Sequence, residues 1–338
     1  MERFRELRPL PEGIWSYDTI AFKGHIGSVR ELLLVVTESG KEIVPTTLEY
    51  RQNPYGDRQS RLFEGRFSKE FVDYGKVGFY NKGEKQDFEE YILWDEQANI
   101  SILALPLDPK TRVFSAKEAL ERFLDYSLPQ TIILKKFVEF FPDKDLGLLG
   151  SCANLFNQPS SDLDLFVYGG RSFEEVAKAL RDSHVRAHLG IRPLPEEIQN
   201  KSAENYSKRF GISFERAKRI VLLRNRYLVE IGGQNGIKVS ITGCFDKKEY
   251  QLQTVLGSRK IRKVQEEGLA VETHNSASLP REYIVEIVGQ QVRVIAMQEV
   301  LKMMVETGDK VELRGTLREK DGVEFISLED YEDIIIAL

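Results

Sequence analysis

Cysteine and histidine are scarce in this chain: its 338 residues include two of the first and four of the second. Two cysteines, Cys152 and Cys244, cannot build a disulfide framework or a cysteine-rich zinc site. No apolar run approaches the length that crosses a bilayer, so no membrane partner is expected. The opening Met-Glu-Arg-Phe-Arg-Glu-Leu lacks the apolar stretch of a secretory leader. Internal repeats and low-complexity tracts are missing too. With disulfide scaffolds and membrane spans excluded, the cytoplasm is the expected location. A content of 41% hydrophobic and 30% charged residues describes a folded globular protein. Its length calls for two or three domains.

The net charge of −5 hides an asymmetry. Between Lys201 and Lys263 fifteen Lys and Arg stand against five acids, a local net of +10. The C-terminal end carries Glu329, Asp330, Glu332 and Asp333. A concentrated basic segment on an acidic protein can face a polyanion such as RNA. A solvated helix face is an equal alternative.

Residues 1–112 read as a β-rich domain. Strands are expected at Asp18 to Phe22, Glu31 to Thr37, Lys41 to Thr46, Tyr91 to Trp94 and Asn99 to Leu105, with a hairpin turn at Glu38-Ser39-Gly40. Arg51 to Ser60 reads as a loop. Residues 113–257 change character. Ser115 and Glu118 form a capping box for a helix reaching Tyr126, and a second helix runs from Ser127 to Phe141, with Ile132, Ile133, Phe137 and Phe140 at helical spacing. Further helices are expected from Phe173 to Ser183, capped by Ser172 and Glu175, from Pro195 to Arg209 and from Ser213 to Arg226. The last two, joined by Phe210-Gly211-Ile212, invite a helix-turn-helix reading, though most such pairs are ordinary packing. Strands Tyr227 to Ile231 and Ile237 to Ile241 follow. Residues 258–338 read as a small β-barrel, of the OB type or another, with a helix near Gln298 to Glu306 and a hairpin at Asp321-Gly322. The whole is α+β.

One stretch carries chemistry. The apolar strand ending at Leu149 gives way to Gly150-Ser151, and Asp162-Leu163-Asp164 opens the next strand. Side chains alternate along a strand, so Asp162 and Asp164 share a face, roughly 7 Å apart at the Cα atoms. Leu163, Leu165 and Val167 then face the core. Two acids beside a Gly-Ser turn with free backbone N–H groups can hold a divalent metal and a triphosphate together. A solvent-facing sheet edge is the bland alternative.

This segment resembles the nucleotidyltransferase superfamily of the polymerase-beta type, whose pattern is an apolar strand, Gly-Ser, about ten residues, then Asp-hydrophobic-Asp. Gly150, Ser151, Asp162 and Asp164 stand at the matching positions, with Ser161 before the first acid. Many members have a second glycine where this chain has Leu155. The chain as a whole is also similar to archaeal predicted nucleotidyltransferases, which have β domains flanking such a core. The resemblance implies a mixed sheet with helices and Mg²⁺- or Mn²⁺-dependent transfer of a nucleoside monophosphate from a triphosphate to RNA, protein or a small molecule. Asp162 and Asp164 would be the metal ligands; Gly150 and Ser151 would bind the β and γ phosphates.

The resemblance also implies a third carboxylate on a neighbouring strand. Within Gly236 to Thr242 its position falls on Ser240, which is neutral and offers one oxygen. Four outcomes follow. Glu230 takes over, or Asp246 does, or the site binds a single metal, or catalysis is lost and a nucleotide- or RNA-binding protein remains. Other candidates are weaker. His184 and His188 lie at i, i+4 but have no partner at metal-site spacing. His25 sits in a Gly-rich turn, Arg224 and Arg226 could reach phosphate or solvent, and Cys152 reads as a small packed residue. The sequence does not fix the oligomeric state.

Overall fold

The computed structural model describes residues 2–14, 18–29, 33–72, 91–156, 161–224, 228–231, 237–243, 254–277, 281–296, 298–330 and 332–338. Its strands form three sheets.

The first sheet holds β1 (Glu2–Pro9), β2 (Thr19–Phe22), β3 (His25–Val29), β4 (Leu33–Thr37), β5 (Glu42–Gln52), β6 (Arg58–Gln59), β7 (Arg66–Val72), β8 (Ile92–Asp95), β9 (Ile100–Pro106) and β10 (Arg112–Phe114). The long β5 divides its pairing. Its first half joins β4 and β9, so that β5-β4-β1-β8-β9 returns on itself, and its second half joins β3 and β7. The expected hairpin at Glu38-Ser39-Gly40 is present: Gly40 takes φ +81° and Val35 pairs with Ile43. Two expectations are corrected. The polar stretch from Arg51 is not all loop, because β5 runs on to Gln52 and β6 follows. His25 begins a strand instead of filling a turn, and its ring lies 4.9 Å from that of Tyr91.

The second unit contains α1 (Ala116–Leu124), α2 (Pro129–Phe140), β11 (Leu146–Leu149), α3 (Gly150–Ala153), β12 (Leu163–Val167), α4 (Gly170–Ala179), α5 (Ser183–Leu189), β13 (Ile191–Arg192), α6 (Glu196–Phe210), α7 (Phe214–Arg224), β14 (Leu228–Ile231) and β15 (Ile237–Gly243). The strand order is β11-β12-β15-β14-β13, with β12 and β15 parallel and the other pairs antiparallel. Ser115 caps α1, its oxygen accepting from the Lys117 amide. Ser127 caps nothing: α2 starts at Pro129, where a fixed φ suits the first turn. Ile133 and Phe137 of α2 are buried, but Ile132 is 64% exposed, because Gln130, Thr131 and Leu134 take the inner face. Helix α4 begins three residues before Phe173, right after Gly169 at φ +84°.

The third unit is all β: β16 (Arg259–Glu272), β17 (Arg281–Ile287), β18 (Gln290–Ala296), β19 (Lys310–Lys320), β20 (Val323–Leu328) and β21 (Ile334–Ala337). Five strands close in the order β16-β17-β18-β20-β19-β16, with only β18 and β20 parallel. Asp321 and Gly322 form the β19–β20 turn, both at positive φ, as a type I′ hairpin needs. The helix expected near Gln298 to Glu306 shrinks to a 3₁₀ turn, Glu299–Leu301; Met303 at φ +52° cannot continue it.

The first and third units share a core. Val255, Leu256, Ile295 and Phe325 pack among the apolar residues of the first sheet. Fully buried Arg318 of β19 forms a two-bond fork with Glu329, at 2.8 and 2.9 Å, and its Nη2 donates to the Ala98 carbonyl at 2.9 Å. No helix among the described residues is long and apolar enough to cross a membrane.

Candidate functional site

The periodicity of β12 explains its layout. Leu163, Leu165 and Val167 are at most 1% exposed and pack beneath the sheet with Leu146, Leu148, Val239 and Ile241. Each such burial contributes about 1.5–3 kcal/mol, which pins the register of the strand. Asp164 is thereby held on the opposite face, at the ladder position between Leu149 of β11 and Ser240 of β15. Asp162, just ahead of the strand, is exposed and meets Lys238 of β15, Nζ to Oδ2 at 3.3 Å. Lys238 and Ser240 are two residues apart on one strand, so both acids stand on the same face.

The Gly-Ser bend converges with them. Gly150 takes φ +65°, a left-handed conformation that suits glycine. A Cβ at this residue would sit 2.6 Å from Asp164 Oδ2, so only a hydrogen fits between bend and carboxylate. The short α3 starts here, and the first amides of a helical turn have no acceptor within it. Asn154 closes the turn by donating its amide and its side-chain Nδ2 to the Gly150 carbonyl, at 3.2 and 3.0 Å. The first unit braces the far side: Ser60 Oγ donates to the Asn154 carbonyl at 2.7 Å, and the Tyr50 and Phe156 rings lie 4.4 Å apart. Cys152 is fully buried and its thiol donates to the Asp162 carbonyl at 3.4 Å. Burial first, then the Asp164 charge, pushes that thiol up to about 12, so it is a packed residue and a poor nucleophile.

Ser240 stands where the missing third carboxylate was expected, beside Asp164, and its hydroxyl donates to Asp164 Oδ1 at 2.5 Å. Burial pushes the Asp164 carboxyl above its ordinary value. The Ser240 hydrogen bond pulls it back, the Asp162 charge adds to the rise, and Lys238 and Lys302 oppose it. Lys302 comes from the third unit. It is 7% exposed, and its Nζ donates to the Ile241 carbonyl at 3.2 Å and to Thr242 Oγ1. The expectations from sequence did not include Lys238 or Lys302 at this site. Lys238 was open to discovery from the alternation of Ile237 to Ile241, being two residues before Ser240. Lys302, about sixty residues further on between Leu301 and Met303, gives no local signal.

Glu230 pairs with Lys238 in the β14–β15 ladder, while its side chain and the whole of Asp246 lie outside the described residues. Cys244, Arg226 and the turn at 232–236 lie outside them as well. Among the described residues no group of three His, Cys, Asp or Glu is placed to share a metal ion. The donors present fit a divalent cation: two carboxylates on one face, a hydroxyl on one of them, and a bend with no side chain in the way. His184 and His188 are exposed on α5, away from this set, with the His188 ring 5.5 Å from Phe140. Arg224 lies over the Tyr206 ring, 5.5 Å from its centre. A cavity of about 750 Å³, walled by Phe173, Lys178 and Arg181 on one side and Glu272, His274 and Met303 on the other, includes neither acid.

Three arginines of the basic segment have partners in the third unit. Arg216 donates to the Ala337 carbonyl at 3.0 Å and stands 3.7 Å from Glu312; Arg219 meets Asp309 at 2.6 Å; Arg209 meets Gln298 at 2.6 Å. These cations fasten α6 and α7 to the barrel. The comparisons with known proteins agree with the centre of this picture. No curated protein sequence matches the chain, and no solved structure does. The family model of the nucleotidyltransferase domain matches residues 131–230, a span holding Gly150, Ser151, Asp162 and Asp164 and ending before β15. The middle of the chain is thus similar to a nucleotidyltransferase domain, and nucleotidyl transfer in general is the chemistry this likeness supports.

Proposed function

We propose that the protein is a cytoplasmic Mg²⁺- or Mn²⁺-dependent nucleotidyltransferase that moves a nucleoside monophosphate from a triphosphate to an acceptor hydroxyl. Asp162 and Asp164 hold the metal, and Gly150 and Ser151 hold the β and γ phosphates. The acceptor oxygen bonds to the α-phosphorus as the bond to the bridging oxygen breaks. Pyrophosphate leaves with the electron pair, and the acceptor's proton passes to water. The metal, when bound, neutralises charge building on the phosphates. The observation that carries this reading is the contact between bend and acid, where a Gly150 Cβ would meet Asp164 Oδ2 at 2.6 Å. A triphosphate lying on the bend would then lie against the carboxylates.

The division at 1–112, 113–257 and 258–338, and an architecture like that of the archaeal predicted nucleotidyltransferases, belong to the same proposal. The closed ring β16-β17-β18-β20-β19, with one parallel pair, supports an OB-like barrel. RNA is the acceptor favoured by the exposed Lys260 and Arg262 of β16. One observation favours a second reading: the hydroxyl of Ser240 at the third-acid position fits a protein that binds nucleotide without turning it over. The test incubates the protein with each of four α-labelled triphosphates and total RNA or protein. Transfer by the wild type, lost in Asp162→Asn and Asp164→Asn, is the expected result. Nucleotide binding with no transfer by the wild type establishes the second reading.

A further inference from the structure

The strand beside the acid pair carries groups that already engage both carboxylates. Lys238 Nζ lies 3.3 Å from Asp162 Oδ2, and Ser240 Oγ donates to Asp164 Oδ1 at 2.5 Å. Both come from β15, which runs parallel to β12 in a register that sets Ser240 directly beside Asp164. A second ammonium, Lys302, lies beneath the end of the same strand and acts on Asp164 through its charge.

The charges can be counted. A pair of divalent cations bridged by two carboxylates needs further negative charge on the protein side to hold both when the triphosphate enters. Here the neighbouring strand brings a hydroxyl and one ammonium, and Lys302 of the third unit adds a second ammonium. Two carboxylates against Lys238 and Lys302 leave the protein side near neutral. A second cation at Asp162 would have to displace the Lys238 ammonium or stand against it. An ammonium can serve on the spot: it neutralises phosphate charge as a fixed cation and donates hydrogen bonds.

We propose that the site takes a single divalent cation with its triphosphate, at Asp162 and Asp164, and that the Lys238 ammonium supplies the second positive charge. This rests on the nucleotide reading given above. Lys238 is thus a binding residue for the charged phosphates, and Ser240 a positioning residue for Asp164.

The experiment counts cations. The full chain is titrated with Mn²⁺ in the presence of an α,β-methylene nucleoside triphosphate, each of the four bases in turn, and free Mn²⁺ is read from its electron paramagnetic resonance signal. One bound Mn²⁺ per chain is expected for the wild type, and two for the double variant Lys238→Met, Ser240→Asp. A single variant, Lys238→Gln, provides a reading should the double variant fail to fold, as judged by far-ultraviolet circular dichroism. With the competing ammonium gone, Mn²⁺ without nucleotide should bind about two- to fivefold more tightly, the size of an exposed ion pair, while the triphosphate at saturating Mn²⁺ should bind more weakly by a similar factor. Two Mn²⁺ on the wild type overturn the proposal, and loss of one of the two in Glu230→Gln or Asp246→Asn would identify the missing acid. Triphosphate binding by Lys238→Gln that is unchanged or tighter at saturating Mn²⁺ also overturns it. No bound Mn²⁺ with any triphosphate overturns the nucleotide reading itself, and this inference with it.

Discussion

Gly150 is the residue on which the site turns. Replacing it by alanine combines two costs. A left-handed φ of +65° is worth about 1–2 kcal/mol against an L side chain. The new methyl also collides with Asp164 Oδ2, so the carboxylate must move. A misplacement near 1 Å can cost about a hundredfold in rate. Gly150→Ala should therefore lose label transfer by about that factor while keeping its far-ultraviolet spectrum. Transfer at wild-type rate would show that bend and acid do not work together.

Glu282 makes a prediction about acidity. It lies in β17 with its side chain 11% exposed, and Arg293 Nε stands 3.8 Å away. Burial pushes its carboxyl up to about 7; the Arg293 charge pulls against this, and Glu272 adds to it. In the unfolded chain the group titrates near 4.5. From about pH 4.5 to 7 the unfolded chain releases a proton that the folded chain keeps, so stability falls as pH rises through that window. Above pH 7 the penalty is complete, at most about 3 kcal/mol. Glu282→Gln should raise Tm by a few degrees at pH 8 and leave it unchanged at pH 4. Equal shifts at both values would rule out this account.

At the level of elements, a buried acid ties α1 to the first sheet. The Ala116 amide, at the first turn of α1, donates to Oδ1 of fully buried Asp18 at 3.1 Å. Asp18→Ala leaves that amide buried without an acceptor and should cost about 1–3 kcal/mol in urea unfolding. Asp18→Asn, which keeps an oxygen there, should recover most of it. The sequence does not reveal this tie, since 98 residues separate the two groups. What it reveals is local. The Asp-Leu-Asp alternation, the Gly-Ser bend, the Ser115 cap and the Asp321-Gly322 turn each depend on neighbours a few residues away. The face taken by Ser240 also follows from pattern, because burying Val239 and Ile241 leaves it the side opposite the core. β1 gives little local signal, because Glu-Arg-Phe-Arg-Glu offers a single apolar residue among four charges. The basic segment was ambiguous because its partners, Asp309, Glu312 and the Ala337 carbonyl, meet it only through the fold.

At the level of the whole molecule, Arg318 joins the first and third sheets. This guanidinium satisfies Glu329, Ser327 and Ser258 within the third unit and the Ala98 carbonyl in the first. Removing one partner of a buried ion pair costs about 3–5 kcal/mol, because the other is left charged and unpaired. Arg318→Met should lower the unfolding transition accordingly, and adding Glu329→Leu should restore part of the loss. An unchanged transition in Arg318→Met would mean the pair is not sealed from water.

Lys302 has the widest reach. A chain cut after residue 258 keeps every letter of the motif that announces the chemistry, yet it lacks the peg that the barrel drives up under β15. The recognisable stretch is therefore braced from outside itself: a barrel lysine holds the end of the strand that seats Ser240 beside Asp164.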